Sequence, residues 1–313
     1  MRMVKVLLLV KPKNEELQQL QKEFQGVTFS TDLQAARDAE VILGWNSKLS
    51  QTILENKKLR WIQAKSAGVD YFPLKELKNR GIILTTASGI HSRYIAETVG
   101  AYILIENRGL RPIIKNPGKW IEPQVLETTE QTVFIFGTGH IGTEIARYCK
   151  FFGMKVIGVN RHGADKKLMD IFDEVITMNQ FKEQSNEVKA DYVINILPGT
   201  AATRHFFDKE RLKKFTPDYT FINVGRGSSV VTADLQKLLA DHYLRSAYLD
   251  VFEKEPLPVS SSLWHSQEVV GTPHISGLIP HFNAALYPLF SENLRHYFAE
   301  EPLHNTIDYG KEY

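Results

Sequence analysis

The sequence predicts an α/β protein of two domains, each built on a parallel sheet, with one domain inserted into the other. Three observations predict it. Short β-rich runs alternate with helical patterns along the chain, which is the signature of βαβ units. The length of 313 residues favours two domains over one. Two helical patterns flank the second and longer set of strands, as they would where a domain is spliced into another.

The runs at 5–10, 27–30, 41–45, 61–64 and 82–86 read as the strands of the first sheet. At 94–105, apolar Ile95, Val99, Tyr102 and Ile103 recur at helical spacing, giving a helix that leaves the first domain. The stretch 111–130 contains Pro112, Pro117 and Pro123 and reads as a surface crossing. Further strands are expected at 132–136, 155–160, 174–177, 192–197, 220–224, 246–250 and 269–271. Most of these are apolar throughout, as strands covered on both faces are. After Gly277, the residues Phe282, Leu286, Leu289, Leu294 and Phe298 return to a helical pattern, which Pro288 is expected to bend or interrupt. The expected domains are 1–97 with 282–313, and 98–281 between them.

Composition excludes several classes. With 43% hydrophobic and 24% charged residues and a formal charge of +2, nothing points to nucleic acid or a membrane surface. The apolar run after Met1-Arg2-Met3 is too short for a secretory signal core, and no stretch reaches the ~18–20 apolar residues of a membrane span. Cys149 is the only cysteine, so intramolecular disulfides and cysteine-rich zinc sites are out. Its expected role is a small buried apolar residue. A cytoplasmic protein without a metal site is expected.

The glycine pattern Gly137-Thr138-Gly139-His140-Ile141-Gly142 follows the apolar run 133–136 and opens a helical pattern of Ile141, Ile145 and Tyr148. Between a strand and a helix such a pattern cradles a dinucleotide pyrophosphate. Gly137 permits the turn, Gly139 lets the backbone approach the phosphates and Gly142 lets the helix pack closely. The helix N-terminus adds N–H groups and a positive dipole end, and His140 can add a hydrogen bond. The expected fold class is thus two Rossmann-like or flavodoxin-like domains, the cofactor domain inserted into the substrate domain. At the end of the next strand an NAD site usually carries an acid for the ribose 2′-OH. Here Asn160, Arg161 and His162 stand instead. Arg161 can pair with a 2′-phosphate, so NADP(H) is expected to be preferred, with NAD(H) possible.

Three further segments supply chemistry. Arg226, between Gly225 and Gly227, is a fixed cation whose planar fork suits a carboxylate and a polarised ketone. His274 can give a proton to a developing alkoxide. Glu255, in the run from Asp250 to Pro256, can hold that imidazole and favour its charged form. Together they are a kit for reducing a 2-keto acid.

On these residues the chain resembles the D-isomer-specific 2-hydroxyacid dehydrogenase family over nearly its whole length. The likeness includes Leu197-Pro198-x-Thr200-x-x-Thr203, the Gly225-Arg226-Gly227 turn and Pro273-His274. Asn160-Arg161 is similar to its NADP-preferring glyoxylate and hydroxypyruvate reductase branch. The resemblance implies Arg226, Glu255 and His274 as catalytic residues. It implies that Ala67 and Gly68, in Ser66-Ala67-Gly68-Val69-Asp70, offer backbone N–H groups to the substrate carboxylate, beside Arg226. It implies that Leu197, Pro198, Thr203, Val224, Gly225 and His274 lie at the cofactor, and that Asp250 contacts its carboxamide. It also implies a homodimer formed through the cofactor domain, and a cleft closed by hinge motion. Glu255 argues against the formate dehydrogenase branch, which has glutamine there. The absence of an extra C-terminal regulatory domain argues against allosteric phosphoglycerate dehydrogenases. Trp45, Tyr71, Trp264, His281 and Phe282 are candidates for the substrate pocket, or ordinary packing. The alternatives are an NAD-dependent enzyme of the same chemistry, or a dinucleotide-sensing corepressor without turnover.

Overall fold

Parallel strands need crossovers, and the chain supplies them by alternating strands with helices. The computed structural model describes residues 3–311. Met1 and Arg2, which precede the apolar run weighed as a signal core, and Glu312 and Tyr313, which close the expected first domain, lie outside the described residues. Two compact units are formed: one runs to Ile90 and resumes at Ile279, and the other is His91–Leu278. The sequence-based division at 97/98 would cut a helix that belongs whole to the second unit.

In the first unit, β1 (Val4–Leu8), α1 (Asn14–Glu23), β2 (Val27–Ser30), β3 (Val41–Leu43), α2 (Ser50–Glu55), β4 (Trp61–Gln63), α3 (Leu74–Asn79) and β5 (Ile83–Thr85) follow in order. The five strands form one sheet in the order β2-β1-β3-β4-β5, with every pair parallel. Strand alternation divides its side chains. Val4, Val6, Leu8 and Trp61 enter one cluster, while Leu7, Ile42, Ile62 and Leu84 enter another.

The second unit opens with α4 (Ser92–Asn107) and α5 (Leu110–Lys115). The stretch expected to be only a surface crossing therefore begins as a helix. Pro112 sits in its first turn, where backbone N–H groups have no helical partner to lose. Then come β6 (Thr132–Phe136), α6 (His140–Phe151), β7 (Lys155–Asn160), α7 (Lys166–Met169), β8 (Glu174–Thr177) and α8 (Met178–Glu183). They are followed by β9 (Tyr192–Asn195), α9 (Lys209–Leu212), β10 (Tyr219–Asn223), α10 (Thr232–Ala240), β11 (Leu244–Leu249) and β12 (Val269–Gly271). The seven-stranded parallel sheet has the order β12-β11-β10-β9-β6-β7-β8. Its strand order reverses between β6 and β9, so the switch point lies at their carboxyl ends, where ligands of open α/β sheets bind.

Residues of β6 alternate between the two faces of this sheet. Phe134 and Phe136 join an aromatic cluster with Phe181, Phe207, Phe215 and Phe221, whereas Val133 and Ile135 face Ile145, Ala146 and Cys149 of α6. Ring centroids of Phe136 lie 4.9 Å from those of both Phe181 and Phe207, edge to face. Cys149 is fully buried, and burial pushes its thiol up to about 12.

The chain closes the first unit with α11 (Phe282–Ala299). Pro288 does not interrupt this helix. Proline in a helix costs ~3 kcal/mol, whereas each large apolar side chain buried contributes ~1.5–3 kcal/mol. Leu286, Tyr287, Phe290 and Leu294 are all buried on this one helix, and Phe290 stacks on Trp61 at 5.4 Å. Burial outweighs the lost bond. Among the described residues, no helix is long and apolar enough to cross a membrane.

Candidate active site

The glycine cradle joins β6 to α6. Gly137 has φ +112°, a conformation L side chains rarely adopt, so the turn requires glycine. A Cβ on Gly142 would lie 2.0 Å from the Gly137 carbonyl oxygen and 2.9 Å from Ile196 Cδ1. Gly142 thus lets the helix start close to its own preceding turn and to the loop after β9. A Cβ on Gly139 would meet nothing within 4 Å. That open side, beside the exposed N-terminus of a 12-residue helix, fits a pyrophosphate. His140 begins the helix and is exposed, while Ile141 packs partly into the core.

Asn160 ends β7 and organises the next loop. Its Nδ2 donates to Thr138 Oγ1 at 2.9 Å and to the Gly163 carbonyl at 3.0 Å. Its Oδ1 accepts from the N–H groups of His162 at 2.8 Å and Gly163 at 2.6 Å. All its hydrogen-bonding capacity goes to the protein. Asn160 ties the cradle to the loop that presents exposed Arg161 and His162.

The loop after β9 is stapled by Thr203, whose Oγ1 donates to the Pro198 carbonyl at 2.5 Å and accepts from Thr200 N–H at 3.0 Å. The Leu197 and Val224 side chains are buried in the core, so only their backbones can face a cofactor. Arg226 follows β10, with Nη1 donating to the Gly225 carbonyl at 2.9 Å and its stem packed over Gly199. A Cβ on Gly227 would lie 1.9 Å from the carbonyl carbon of Phe252, so glycine there lets the Arg226 turn touch the segment after β11.

In that segment Glu255 Oε1 accepts from Phe252 N–H at 2.9 Å, while its Oε2 is 2.8 Å from His274 Nδ1. A carboxylate can only accept, so Nδ1 carries a hydrogen and Nε2 is the other proton position. The pair is half exposed, with side-chain exposures of 51% for His274 and 36% for Glu255. His274 adopts φ +55°, and its N–H donates to the Asp250 carbonyl at 2.8 Å.

Asp250 is fully buried, and its carboxylate faces the loop that carries His274. Oδ1 accepts from Thr272 Oγ1 at 2.6 Å and Ile275 N–H at 2.8 Å, and Oδ2 from Ser276 N–H at 2.9 Å. Tyr102 of α4 completes the chain, its OH 2.7 Å from Thr272 Oγ1. Because Thr272 donates to Asp250, Tyr102 must donate to Thr272. Burial and the nearby Asp250 carboxylate push the Tyr102 phenol up to about 12, although the Thr272 bond acts the other way, so it stays a neutral donor.

Sequence reasoning missed the polar residues beneath these loops. Asn195 and Asn223, both buried, end β9 and β10 side by side. Asn195 Nδ2 donates to Asn223 Oδ1 at 2.9 Å and to Ser229 Oγ at 2.6 Å, and its Oδ1 accepts from Leu197 N–H at 3.0 Å. Asn223 Oδ1 also accepts from Gly225 N–H at 3.1 Å. The available signal was an asparagine or aspartate directly after an apolar strand.

In the first unit, Ser66–Asp70 forms a turn after β4. Ser66 Oγ donates to the Gly68 carbonyl at 2.8 Å and lies 2.6 Å from Tyr71 OH. Among the described residues, these bonds engage the Ser66 hydroxyl, the Gly68 carbonyl and the Tyr71 hydroxyl. Trp45 packs on Phe72 with centroids 4.9 Å apart, and Trp264 on Phe252 at 6.0 Å. His281 immediately precedes α11, and Phe282 packs partly buried against the core on its α11 side.

A dinucleotide cradle at the switch point of a parallel sheet, with a histidine–carboxylate pair and an arginine on neighbouring loops, defines an NAD(P)-dependent oxidoreductase. The family model for the D-isomer specific 2-hydroxyacid dehydrogenase NAD binding domain matches residues 113–276. Glyoxylate/hydroxypyruvate reductase B of Pectobacterium atrosepticum is 31% identical over 254 residues, covering 78% of this chain and 78% of its own. Among solved structures, the NADPH-dependent glyoxylate/hydroxypyruvate reductase of Sinorhizobium meliloti, in complex with NADP and sulfate, aligns with a TM-score of 0.80 at 26% identity over 99% of each chain. Phosphoglycerate dehydrogenase from Lactobacillus plantarum is 36% identical, with a TM-score of 0.57 over 97% of this chain and 100% of that one. The chain belongs to the D-isomer specific 2-hydroxyacid dehydrogenase family.

The bracing of the His274 loop is testable. Asp250→Asn turns an acceptor into a donor facing other donors. We expect Ile275 and Ser276 amides to exchange with solvent at least about tenfold faster, a loss of ~1.4 kcal/mol locally, as read by hydrogen exchange. Unchanged exchange would show that the loop holds itself.

Proposed function

We propose that the protein reduces a small 2-keto acid to the D-2-hydroxy acid, with NADPH preferred over NADH. One observation carries the reading: the 2.8 Å pair of His274 Nδ1 and Glu255, on loops at the same carboxyl edge of the sheet as the cradle. With its pyrophosphate held by the Gly137–Gly142 cradle, a bound nicotinamide dinucleotide would supply the hydride for the keto carbon. Arg226 holds the substrate carboxylate and polarises its ketone through the guanidinium fork. His274 Nε2–H transfers a proton to the ketone oxygen as it becomes a hydroxyl. Glu255 fixes the ring orientation and stabilises the imidazolium before that transfer. Hydride and proton together account for the two hydrogens gained. Ala67 and Gly68 are proposed, on the family resemblance, as N–H donors to the carboxylate, and Asp250 as a contact of the carboxamide.

The NADPH preference rests on the absence of an acid at the end of β7 and on exposed Arg161 in a loop that Asn160 holds. The S. meliloti relative, described as NADPH-dependent, agrees with it. For assembly we propose a homodimer through the cofactor-binding unit. The segment after α4 exposes Leu110, Ile114, Trp120 and Val125, with Trp120 96% exposed, an apolar series suited to a second copy. We assign the protein to the cytoplasm on the same footing.

Initial rates with NADPH and NADH test the reading over glyoxylate, hydroxypyruvate, pyruvate and phenylpyruvate. Oxidation of 3-phosphoglycerate is included because of the L. plantarum relative. Fast NADPH-dependent reduction of the keto acids is expected. Binding of both dinucleotides without turnover would favour a dinucleotide sensor instead. Arg161→Ala should lower kcat/KM for NADPH by about ten- to a hundredfold and leave NADH nearly unchanged; equal losses would remove Arg161 from 2′-phosphate recognition. His274→Gln should lower kcat by about 10²–10⁴-fold with a much smaller effect on dinucleotide Kd, and Glu255→Gln should lower it less. A His274→Gln enzyme of near-normal kcat would sink the proton-donor assignment. Trp120→Asp should convert a dimer to monomer in sedimentation velocity, and a wild-type monomer would refute the assembly.

A further inference from the structure

At the end of α11 the chain turns back along the helix. Glu300 takes the left-handed conformation, φ 57° and ψ 31°, and the returning segment reaches the first sheet, where Thr306 bridges Thr85 of β5. Buried Asn293 fixes this return. Its Oδ1 accepts from His304 N–H at 2.7 Å, and its Nδ2 donates to the His304 carbonyl at 3.2 Å. His304 is thereby held beside the helix, next to Glu292 and His296, which stand one turn apart.

The polar atoms of these residues converge. His304 Nε2 lies 3.3 Å from Glu292 Oε1, and the two imidazole centroids are 4.7 Å apart. One ligand atom from each of Glu292, His296 and His304 falls within 4.8 Å of the others. His296 Nδ1 is 2.8 Å from the Pro302 carbonyl, which can only accept, so Nδ1 carries a hydrogen and Nε2 is the nitrogen that offers a lone pair in the neutral ring. That is the arrangement found behind metal-ligating histidines, where a carbonyl fixes tautomer and ring orientation. His296 Nε2 in turn lies 3.9 Å from Glu301 Oε2, a fourth donor on the returning segment. A tetrahedral zinc ion with N and O ligands at ~2.0–2.1 Å has ligand edges of ~3.3–3.5 Å, so small adjustments of Glu292, His296 and His304 bring their three ligand atoms to that spacing. Two separate ion pairs would need both rings charged, and two imidazoliums with centroids 4.7 Å apart repel each other, whereas one shared cation satisfies both neutral rings.

We propose that Glu292, His296 and His304 bind a divalent transition-metal ion of the zinc class, with Glu301 beside His296 as the further carboxylate at hand, and that the ion pins the returning segment onto α11. Two imidazoles with carboxylates suit zinc and its neighbours rather than calcium or magnesium. This departs from the sequence expectation of no metal. The Glu292–His296 spacing alone is commonplace, and only the turn at Glu300 brings His304 to it.

The test is titration of the chelator-treated full chain with zinc chloride alone, followed by calorimetry, with melting temperature as a second readout. One zinc per chain is expected. His304→Gln, His296→Gln and the surface variant Glu292→Gln should each weaken binding at least about tenfold while keeping the wild-type circular dichroism. Excess zinc should raise the wild-type Tm by a few degrees and leave the His296→Gln/His304→Gln double variant unmoved. His274→Gln should bind zinc as the wild type does. Absence of zinc binding, binding undiminished in the double variant, or loss of the zinc in His274→Gln would each overturn the proposal.

Discussion

Asn195, Asn223 and Asp250 stand at the carboxyl ends of three adjacent parallel strands, and the loops of the candidate active site hang from their side chains. Each is buried where an unpaired polar group would be costly; Asn195 and Asn223 meet that demand with backbone N–H groups of the loop beyond their own strand, and Asp250 with donors of the loop beyond β12. Asn195 takes the Leu197 loop, Asn223 the Arg226 turn and Asp250 the His274 loop. Because Asn195 also bonds Asn223, the first two loops share one anchor. The third is drawn in by Gly227, whose missing side chain lets the Arg226 turn lie against Phe252, whose N–H holds Glu255.

The anchor also decides a local contest. A non-glycine residue at φ +55°, as His274 is, costs ~1–2 kcal/mol. Hydrogen bonds to a charged acceptor each contribute ~1.5–3 kcal/mol, and Asp250 makes three of them to the residues around His274. The strained backbone is therefore over-determined. It directs the imidazole toward Glu255 and leaves half of it open to solvent.

Much of this was legible in the sequence, because local signals were strong. The strands of both sheets showed as apolar or β-branched runs, and the cradle announced itself by glycine spacing between a strand and a helix. Pro288 misled because proline's cost is local while the burial that overrides it is tertiary. The 111–130 stretch misled because proline in a first helical turn looks the same, in sequence, as proline in a loop. At the site, residue types suggested the histidine, glutamate and arginine. The supports were illegible: Tyr102 and Thr272 are far apart in sequence and meet only through the fold. Asn160 was legible as the residue standing where an acid would meet the ribose, and its engagement in the loop's own hydrogen bonds was not. Its type was informative, but its orientation depends on where Thr138 sits.

Cys149 packs against the strands of the second sheet, without exposed surface and with a thiol held protonated far above neutrality. Thiolate is the reactive form, so under native conditions this sulfur is silent toward alkylating and maleimide reagents. The wild-type chain is thus already a clean background for single-site chemistry. One cysteine introduced on the 161–163 loop and another on the 272–276 loop, both in the second unit, would carry a fluorophore pair with no native thiol to remove. The spacing of these loops at the carboxyl edge of the second sheet could then be followed in solution without altering a residue of the core.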